Sequence, residues 1–468
     1  MMTRQASALK RFGVSLLVTA VAVGCSNLAT RRGFYTPIDA ELRSGNIDSA
    51  RQLLETARES GKYAHKDRFL YFVDAGMLAH YAGDYQASNE KLTVAERAAE
   101  ELFTKSVSRA AASLLLNDNI LEYSGEDYEV LYTNLIMALN YAALRQFEDA
   151  FVEIRRANLK LEQLEQKYGD AAHRYRQGMA EDSGNVEIDF DLPTMRFHND
   201  AFARYLSMHM YAADGKYDDA RIDFDYLTDA FRSQPHIYGF EMPKVTYHSD
   251  SGAILSVVAL IGKAPIKEAL SLRIRTDKDL DLVQVLYDDP SMQGAEYGHL
   301  PVKVSQDYYF KFALPQIVQR TSQVATVEVL IDGRPTERLQ LIEDIGAVAE
   351  QTFEAKKTLI YVRSVARAIV KGLAAHKLKK KADTGGLEGW LKKAAIDVGT
   401  DITENADLRS TQFLPGRILV GDFEVPPGSH NVVIRFLSVD GIELDRVTHA
   451  NLEVGRRGWR LLQATMPR

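Results

Sequence analysis

From about residue 34 to Ser233, apolar residues recur at intervals of three and four in a stretch rich in Ala, Leu, Glu and Arg. This spacing places the apolar side chains on one face of each helix and predicts a helical half. Beyond Pro235 the pattern changes to short alternating or β-branched runs, which predict strands separated by turns. A second helical stretch, at about 348–381, interrupts the strands. The predicted fold class is therefore α+β.

One pattern occurs four times in the helical half. It starts at Gly45, Gly83, Arg145 and Gly215, with an aromatic or aliphatic residue two positions later and small or apolar residues five, nine and twelve positions later. The first residue suits a turn between antiparallel helices, and the small residue lets the two helices approach closely. The pattern resembles the second helix of tetratricopeptide repeats. Because the copies are unevenly spaced, the prediction for residues 34–235 is an irregular tetratricopeptide-like α-solenoid.

The C-terminal half is predicted to be a β-sandwich-like domain in two parts, 236–345 and 401–468, with a helical insertion at 346–400. Predicted strands lie at 253–261, 269–276, 307–315, 324–332, 338–342, 417–425 and 430–438, with two more near the C-terminus. Asp332-Gly333 and Asp440-Gly441 predict hairpin turns. A third turn is predicted at 426–428. The insertion also includes a glycine-containing linker at 383–386 and an amphipathic segment at 390–397.

The N-terminus predicts a lipid anchor at Cys25, the one cysteine in the chain. Three cationic residues precede an uncharged run at 12–24, which is too short to span a bilayer. With the small residues before Cys25, this resembles the lipobox of bacterial lipoproteins. The resemblance implies cleavage of signal peptide 1–24, acylation (diacylglycerol and palmitate) of Cys25 and a lipidated tether at 25–33. Ser26 favours the outer membrane, facing the periplasm. The alternative is an ordinary secretory signal.

Composition and motifs point away from several classes of chemistry. The net charge of −7 argues against general nucleic-acid binding. No phosphate-binding loop or H-E-x-x-H motif occurs. Glu126, Asp127 and Glu129 beside tyrosines could be the paired carboxylates of a glycosidase, but a cap for the helix that starts near Tyr128 is the favoured interpretation. We therefore expect no catalytic site, cofactor or metal.

The helical stretch at 348–381 carries an apolar stripe and many cations. The cations are Lys356, Arg363, Arg367, Lys371, Lys377, Lys379, Lys380 and Lys381. A solvated helix face is the simpler interpretation. The alternative is contact with an anionic partner: lipid headgroups, lipopolysaccharide phosphates or an acidic protein.

Three segments resemble a family of bacterial envelope lipoproteins: YSGEDYE (123–129), AFVEIRRAN (150–158) and the stretch at 406–436. Members of this family carry tetratricopeptide-type repeats before a β-rich C-terminal half. The resemblance implies an envelope location and a role through binding, and it names no substrate.

These expectations combine into a lipid-anchored periplasmic scaffold that binds an envelope protein or peptide through a helical-repeat groove. One alternative is a stoichiometric accessory component of an outer-membrane assembly or secretion complex. A cell-wall glycan hydrolase is a third hypothesis, and it would need a set of converging catalytic groups that the sequence does not display.

Overall fold

The computed structural model describes residues 32–112, 119, 121–182, 196–250, 252–277, 279–280, 282–288, 295–301, 309–382, 406–456 and 458–468. Cys25, the predicted linker at 383–386 and the predicted amphipathic segment at 390–397 lie outside these residues. The described part is α+β, with helical pairs in the N-terminal half and three sheets in the C-terminal half.

The described residues of the N-terminal half form four helical hairpins. Their helices are α1 (Tyr35–Arg43), α2 (Ile47–Glu59), α3 (Arg68–Tyr81), α4 (Tyr85–Ala112), α5 (Asp127–Ala143), α6 (Phe147–Asp182), α7 (Ala201–Ala213) and α8 (Tyr217–Ser233), with 3-10 turns at Arg32–Phe34 and His65–Asp67. The second helix of each hairpin begins at the residue two positions after the predicted turn residue. The prediction of helix–turn–helix units at these four positions is therefore confirmed.

The turn residues explain why the helices end where they do. Gly45, Gly83, Arg145 and Gly215 all have positive φ, between 59° and 80°. In each turn the next N–H bonds back to a carbonyl five residues earlier, as in Asn46 to Glu41 at 2.9 Å, which closes the helix in a Schellman arrangement. The small residues five positions after the turn (Ala50, Ser88, Ala150 and Ala220) are each 0% exposed. Close packing of each pair depends on them.

In the part of the C-terminal half that the structure describes, the strands form three four-stranded sheets. The strands are β1 (Ala253–Ile261), β2 (Ile266–Asp277), β3 (Leu282–Tyr287), β4 (Glu296–Pro301), β5 (Tyr309–Val318), β6 (Thr326–Ile331), β7 (Arg334–Pro335), β8 (Gln340–Asp344), β9 (Arg417–Val425), β10 (Gly428–Leu437), β11 (Glu443–Val454) and β12 (Trp459–Met466). The first sheet has the order β12-β1-β9-β8, the second β11-β10-β6-β7 and the third β4-β3-β2-β5. Strands β3 and β4 were not predicted from the sequence.

The first sheet lies between the helices and the second sheet. Every residue of β1 is buried, which requires a covered surface on both faces. On one face Ile254 and Val258 join the core of the helical half. On the other, Leu255 and Val257 pack in a separate core with β6 and β10. The two halves of the chain therefore share a hydrophobic core.

Two connections differ in kind. Asp440-Gly441 joins paired strands β10 and β11, so that predicted hairpin is confirmed. The Asp332-Gly333 turn is also confirmed, but it joins β6 to β7, and the strand predicted at 338–342 instead forms β8 and pairs with β9 in the first sheet. The turn at 426–428 instead links β9 in the first sheet to β10 in the second. A long helix, α9 (Ile345–Ala382), follows β8 before the chain returns through β9, the strand paired with β8. The insertion thus separates two adjacent strands.

Candidate functional site

Residues 406–416, which we call the strap, run through the helical half without forming a helix or strand. Asp74 on α3 accepts a hydrogen bond from the Gln412 N–H at 2.8 Å, and Glu129 on α5 accepts one from the Thr411 N–H at 2.7 Å. The Tyr81 hydroxyl donates to the Phe413 carbonyl at 2.6 Å. This helical surface is therefore occupied by the chain's own C-terminal half.

Burial of these carboxyl groups changes their protonation. Desolvation raises the pKa of Asp74 to about 7, despite hydrogen bonds from Tyr35, Gln412 and Tyr63. Burial also raises the pKa of Glu129, and the neighbouring Glu126 carboxylate adds to the rise. Both groups accept hydrogen bonds from the strap backbone, so the strap and helices form one polar network.

Arg409 is the central cation of the strap. Its side chain is 3% exposed and lies 2.6 Å from the Asp67 carboxylate and 2.7 Å from that of Asp407. The guanidinium also donates to the Leu121 carbonyl at 2.9 Å. Burial would lower the pKa of Arg409, but Asp407 and Asp67 outweigh that effect and raise it. Arg409 therefore remains charged and binds the strap to the helices.

A second buried ion cluster lies at the start of α5. Glu126, which is 3% exposed, accepts from Lys267 on β2 at 2.6 Å and from Lys356 on α9 at 2.9 Å. Burial would raise the pKa of Glu126, but the two ammonium groups hold it at about 2. The predicted capping position of Glu126 is confirmed, since α5 begins at Asp127. Its carboxylate, however, serves to join three elements.

This geometry gives one of the predicted contact residues a partner inside the protein. Lys356 was predicted to contact an anionic partner, yet it pairs within the protein with Glu126. Burial would lower the pKa of Lys356, but the Glu126 carboxylate raises it to about 12. Arg363 lies half-buried on α9. The side chains of Arg367, Lys371, Lys377, Lys379, Lys380 and Lys381 lie outside the described residues, although the backbone is helical there, so their partner contact stays a prediction.

A cleft of about 850 Å³ opens between α4 and α6. The N-terminal part of α5 forms its floor, with Val130 and Leu131, and Thr352 of α9 lies at its margin. Leu159 on α6 lines the cleft and is 51% exposed. A concave surface of this size with an exposed leucine suits a ligand that carries apolar side chains, such as a protein segment.

Buried carboxylates hold the cations of the cleft in place. Glu96 on α4, with 7% of its side chain exposed, binds Lys160 at 2.5 Å and Arg156 at 2.9 Å across the cleft. Burial would raise the pKa of Glu96, but Lys160 and the other partners lower it below its usual range. Asp127 likewise pairs with Lys167, and the Lys167 ammonium lies 4.5 Å from the centre of the Phe103 ring.

The cleft therefore presents cations to solvent above buried acids. The side chains of Arg156, Lys160 and Lys167 are 48%, 23% and 29% exposed, whereas those of Glu96 and Asp127 are 7% and 8% exposed. Exposed Glu100 and Asp170 also line the cleft, one helical turn from Glu96 and from Lys167. This arrangement favours carboxylate groups on a ligand that also carries apolar side chains.

The remaining candidate chemistry forms structural contacts. Glu126 and Glu129 are buried within the network described above, so they do not face a substrate as a glycosidase pair would. Ser249 caps the turn before β1 by accepting from the Gly252 N–H at 2.8 Å. Among the described residues, no group of three or more His, Cys, Asp or Glu side chains is placed to hold a metal ion. No helix in the same residues has the length and apolar character needed to cross a bilayer.

Compared with known proteins, the chain matches no protein-family model and no curated sequence.

A groove in the helical repeats was predicted from the sequence, but its position between α4 and α6 was not. Helix length is the signal that could have indicated this position. Helices α4 and α6 have 28 and 36 residues, whereas α5, which lies between them, has 17. Two long helices that flank a shorter one leave a trough beyond its end. The strap was missed because it has no apolar period.

Proposed function

We propose that this protein is a lipid-anchored adaptor of the bacterial envelope that binds a segment of a partner protein in the cleft between α4 and α6. The observation that carries the proposal is the 850 Å³ cleft with its exposed Leu159 and its row of supported cations. The role is binding and not catalysis. The four helical hairpins support the tetratricopeptide-like description, a repeat that commonly presents grooves to peptides. The shared core of the first two sheets supports a β-sandwich-like second half.

The partner segment is proposed to be acidic and amphipathic. Leu159 and Val130 would contact its apolar side chains, while Arg156, Lys160 and Lys167 would pair with its carboxylates. Because buried Glu96 and Asp127 already fix these cations, less side-chain freedom is lost on binding. The proposed binding site is therefore the cleft and not the surface that the strap covers.

The proposed location is the periplasmic face of the outer membrane, with attachment through acylated Cys25. We expect the wild-type chain to enter the detergent-rich phase after temperature-induced phase separation and to incorporate an alkyne analogue of palmitate. Cys25→Ser should move nearly all of the chain to the aqueous phase, because a chain without acyl groups lacks the apolar anchor. Equal partitioning of the two chains, with no label in either, would contradict the anchor.

The cleft is tested by photo-crosslinking in the living cell. A benzophenone amino acid at position 159 is expected to give one discrete adduct with an envelope protein. The same group at Leu144, which is 42% exposed and does not line the cleft, is the matched control. Arg97→Glu, in the cleft lining, should reduce the adduct about tenfold because it places a repulsive charge there. Arg155→Glu, on exposed α6 surface outside that lining, should leave it unchanged.

Point variants are needed because the halves do not separate cleanly. A chain that ends at Ser233 would lack the strap and expose the core that Ile254 and Val258 complete. The proposal fails if positions 159 and 144 give the same adducts, or if neither gives one. Identifying the crosslinked partner peptide by mass spectrometry would also show directly whether its sequence is acidic.

A further inference from the structure

The exposed face of α8 is unusual for the end of a helical array. Among the nine large apolar side chains that are exposed in the described part of the chain, three lie on this helix: Tyr217, Ile222 and Tyr226, at 44%, 44% and 49%. Terminal helices of repeat arrays normally present a polar outer face. Within the described residues α8 packs mainly on α7. The helix also makes ring contacts with residues 238–248, including one between Tyr217 and His248 at 4.7 Å. The face that carries Asp218, Ile222 and Asp225 is exposed.

Acidic residues follow the same face. Residues three or four positions apart lie on one face of a helix. This spacing relates Asp218, Ile222, Asp225 and Asp229, and Tyr226 adjoins Asp225, so the five form one stripe. The helix carries five aspartates and two arginines. Arg221 pairs with Asp225 at 3.3 Å, Arg232 pairs with Asp229 at 2.5 Å, and Arg204 covers the Tyr226 ring at 4.7 Å. Aspartates outnumber arginines on the helix, so the stripe offers apolar contact beside a net negative charge that these pairs partly neutralise.

The chain carries the complementary charge in its own sequence. The last seven residues of α9, HKLKKKA, include Lys377, Lys379, Lys380 and Lys381, and no acid occurs between Tyr361 and Ala382. The backbone remains helical through this segment. Leu373 and Leu378 provide apolar residues beside the lysines. A basic helix with apolar residues is the charge complement of the α8 stripe.

We propose that the α8 stripe binds the basic C-terminal end of α9 from a second copy of this chain. The contact joins two different surfaces, so each copy can bind one neighbour through α8 and another through α9. Copies would then associate head to tail along the membrane. Anchoring in one plane would favour this contact because it raises the local concentration of the chain. The inference does not depend on what occupies the cleft between α4 and α6.

Sedimentation velocity of the full chain carrying Cys25→Ser tests the contact without detergent. We expect concentration-dependent association at about 0.05 M salt that weakens at least about tenfold at about 0.5 M salt, because exposed charges are then screened. Ile222→Ser should weaken association by a similar factor through loss of apolar contact. Leu144→Ser, at an exposed leucine on another turn, is the matched control and should leave association unchanged.

Charge exchange separates this contact from any other. The double variant Asp218→Lys, Asp225→Lys and the double variant Lys377→Glu, Lys380→Glu should each stop self-association. Mixing the two variants should restore pairwise association, which would also show that both fold. A chain that stays monomeric at every concentration and at low salt would overturn the proposal. If the strength of self-association is unchanged by these substitutions, the proposal is also overturned, because the contact would then use another surface.

Discussion

Replacing Arg409 by alanine is expected to lower the free energy of unfolding by about 3–5 kcal/mol, the cost typical of removing one member of a buried ion pair. The guanidinium is 3% exposed and its partner Asp67 is 0% exposed. The substitution would leave two carboxylates, Asp67 and Asp407, in a buried site without their cation. It would also remove the donor to the Leu121 carbonyl. Chemical denaturation with tryptophan fluorescence or circular dichroism measures the effect.

The matched control for this prediction is Arg338→Ala. Arg338 pairs with Glu328 at 3.2 Å, but its side chain is 67% exposed. Exposed pairs contribute about 0–1 kcal/mol, so the free energy of unfolding of this variant should be close to that of the wild type. The stability of Arg409→Lys should lie between that of Arg409→Ala and that of the wild type, because an ammonium cannot repeat the two-point contact with Asp407. A loss of less than about 1 kcal/mol for Arg409→Ala would contradict the role of the strap as a structural link.

The helical turns could be predicted because their cause is local. Gly45 and Gly215 adopt positive φ, which glycine tolerates without strain. The alanines five positions later, Ala50 and Ala220, are buried because the helices meet there. Arg145 shows that the pattern does not demand glycine. It also has positive φ, at 59°, and its side chain bonds to the Trp459 carbonyl at 3.2 Å.

The strap could not be predicted because its stability comes from distant partners. Gln412 bonds to Asp74 and Thr411 to Glu129, groups separated by 338 and 282 positions in the chain. Nothing in the run ADLRSTQFLPG shows that its polar groups would be satisfied inside a helical surface. The resemblance to envelope lipoproteins included this run, and it implied a binding role for the family without indicating this internal contact.

Two adjacent lysines also show that contacts between distant elements could not be predicted from the sequence. Lys356 and Lys357 are adjacent cations on α9, and only Lys356 was included in the predicted contact with an anionic partner. Lys356 pairs with buried Glu126 from another helix, whereas Lys357 pairs with Glu354 one turn away on α9. The difference arises from which elements pack against the helix, which is a tertiary property. Charge patterns along one helix therefore predict where cations lie, but not which of them face solvent.

Two buried carboxyl groups make part of the stability depend on pH. Asp200 caps α7 by accepting from the Ala203 N–H at 2.8 Å, and Tyr132 donates to its other oxygen at 3.2 Å. Glu343 on β8 accepts from the Tyr238 hydroxyl at 3.1 Å. Burial raises the pKa of Asp200 to about 6. Burial, with the charge of Asp200 added to it, raises the pKa of Glu343 well above its usual range.

The other groups near this pair do not neutralise it. The Phe202 N–H faces Glu343 at 3.4 Å, and Arg204 attracts Asp200 without removing the shift of its pKa. Asp344 adds a further negative charge near Glu343. The second oxygen of Glu343 is buried without a hydrogen-bond partner among the described residues. Ionising both carboxyls at neutral pH is therefore costly.

Glu343→Gln is expected to be more stable than the wild type at neutral pH, by on the order of 1–3 kcal/mol. A carboxyl whose pKa is raised in the folded state contributes full stability below its unfolded pKa and loses that contribution as the pH rises through the folded value. The stability advantage of the variant should therefore be near zero at about pH 4 and should grow as the pH rises above that value. Comparing the two chains at each pH removes the effect of other titrating groups such as His80, whose pKa burial lowers to about 4.

Denaturant unfolding at a series of pH values measures this difference, and Glu337→Gln is its control. Glu337 is 71% exposed and pairs with Lys244 at the surface, so the same substitution there should give a difference that does not vary with pH. Asp200→Asn should behave like Glu343→Gln, because an asparagine oxygen can still accept the capping hydrogen bond from Ala203. If Glu343→Gln is less stable than the wild type at neutral pH, the pair is not destabilised by ionisation. The two carboxyls would then have to be treated as a stabilising hydrogen-bonded pair.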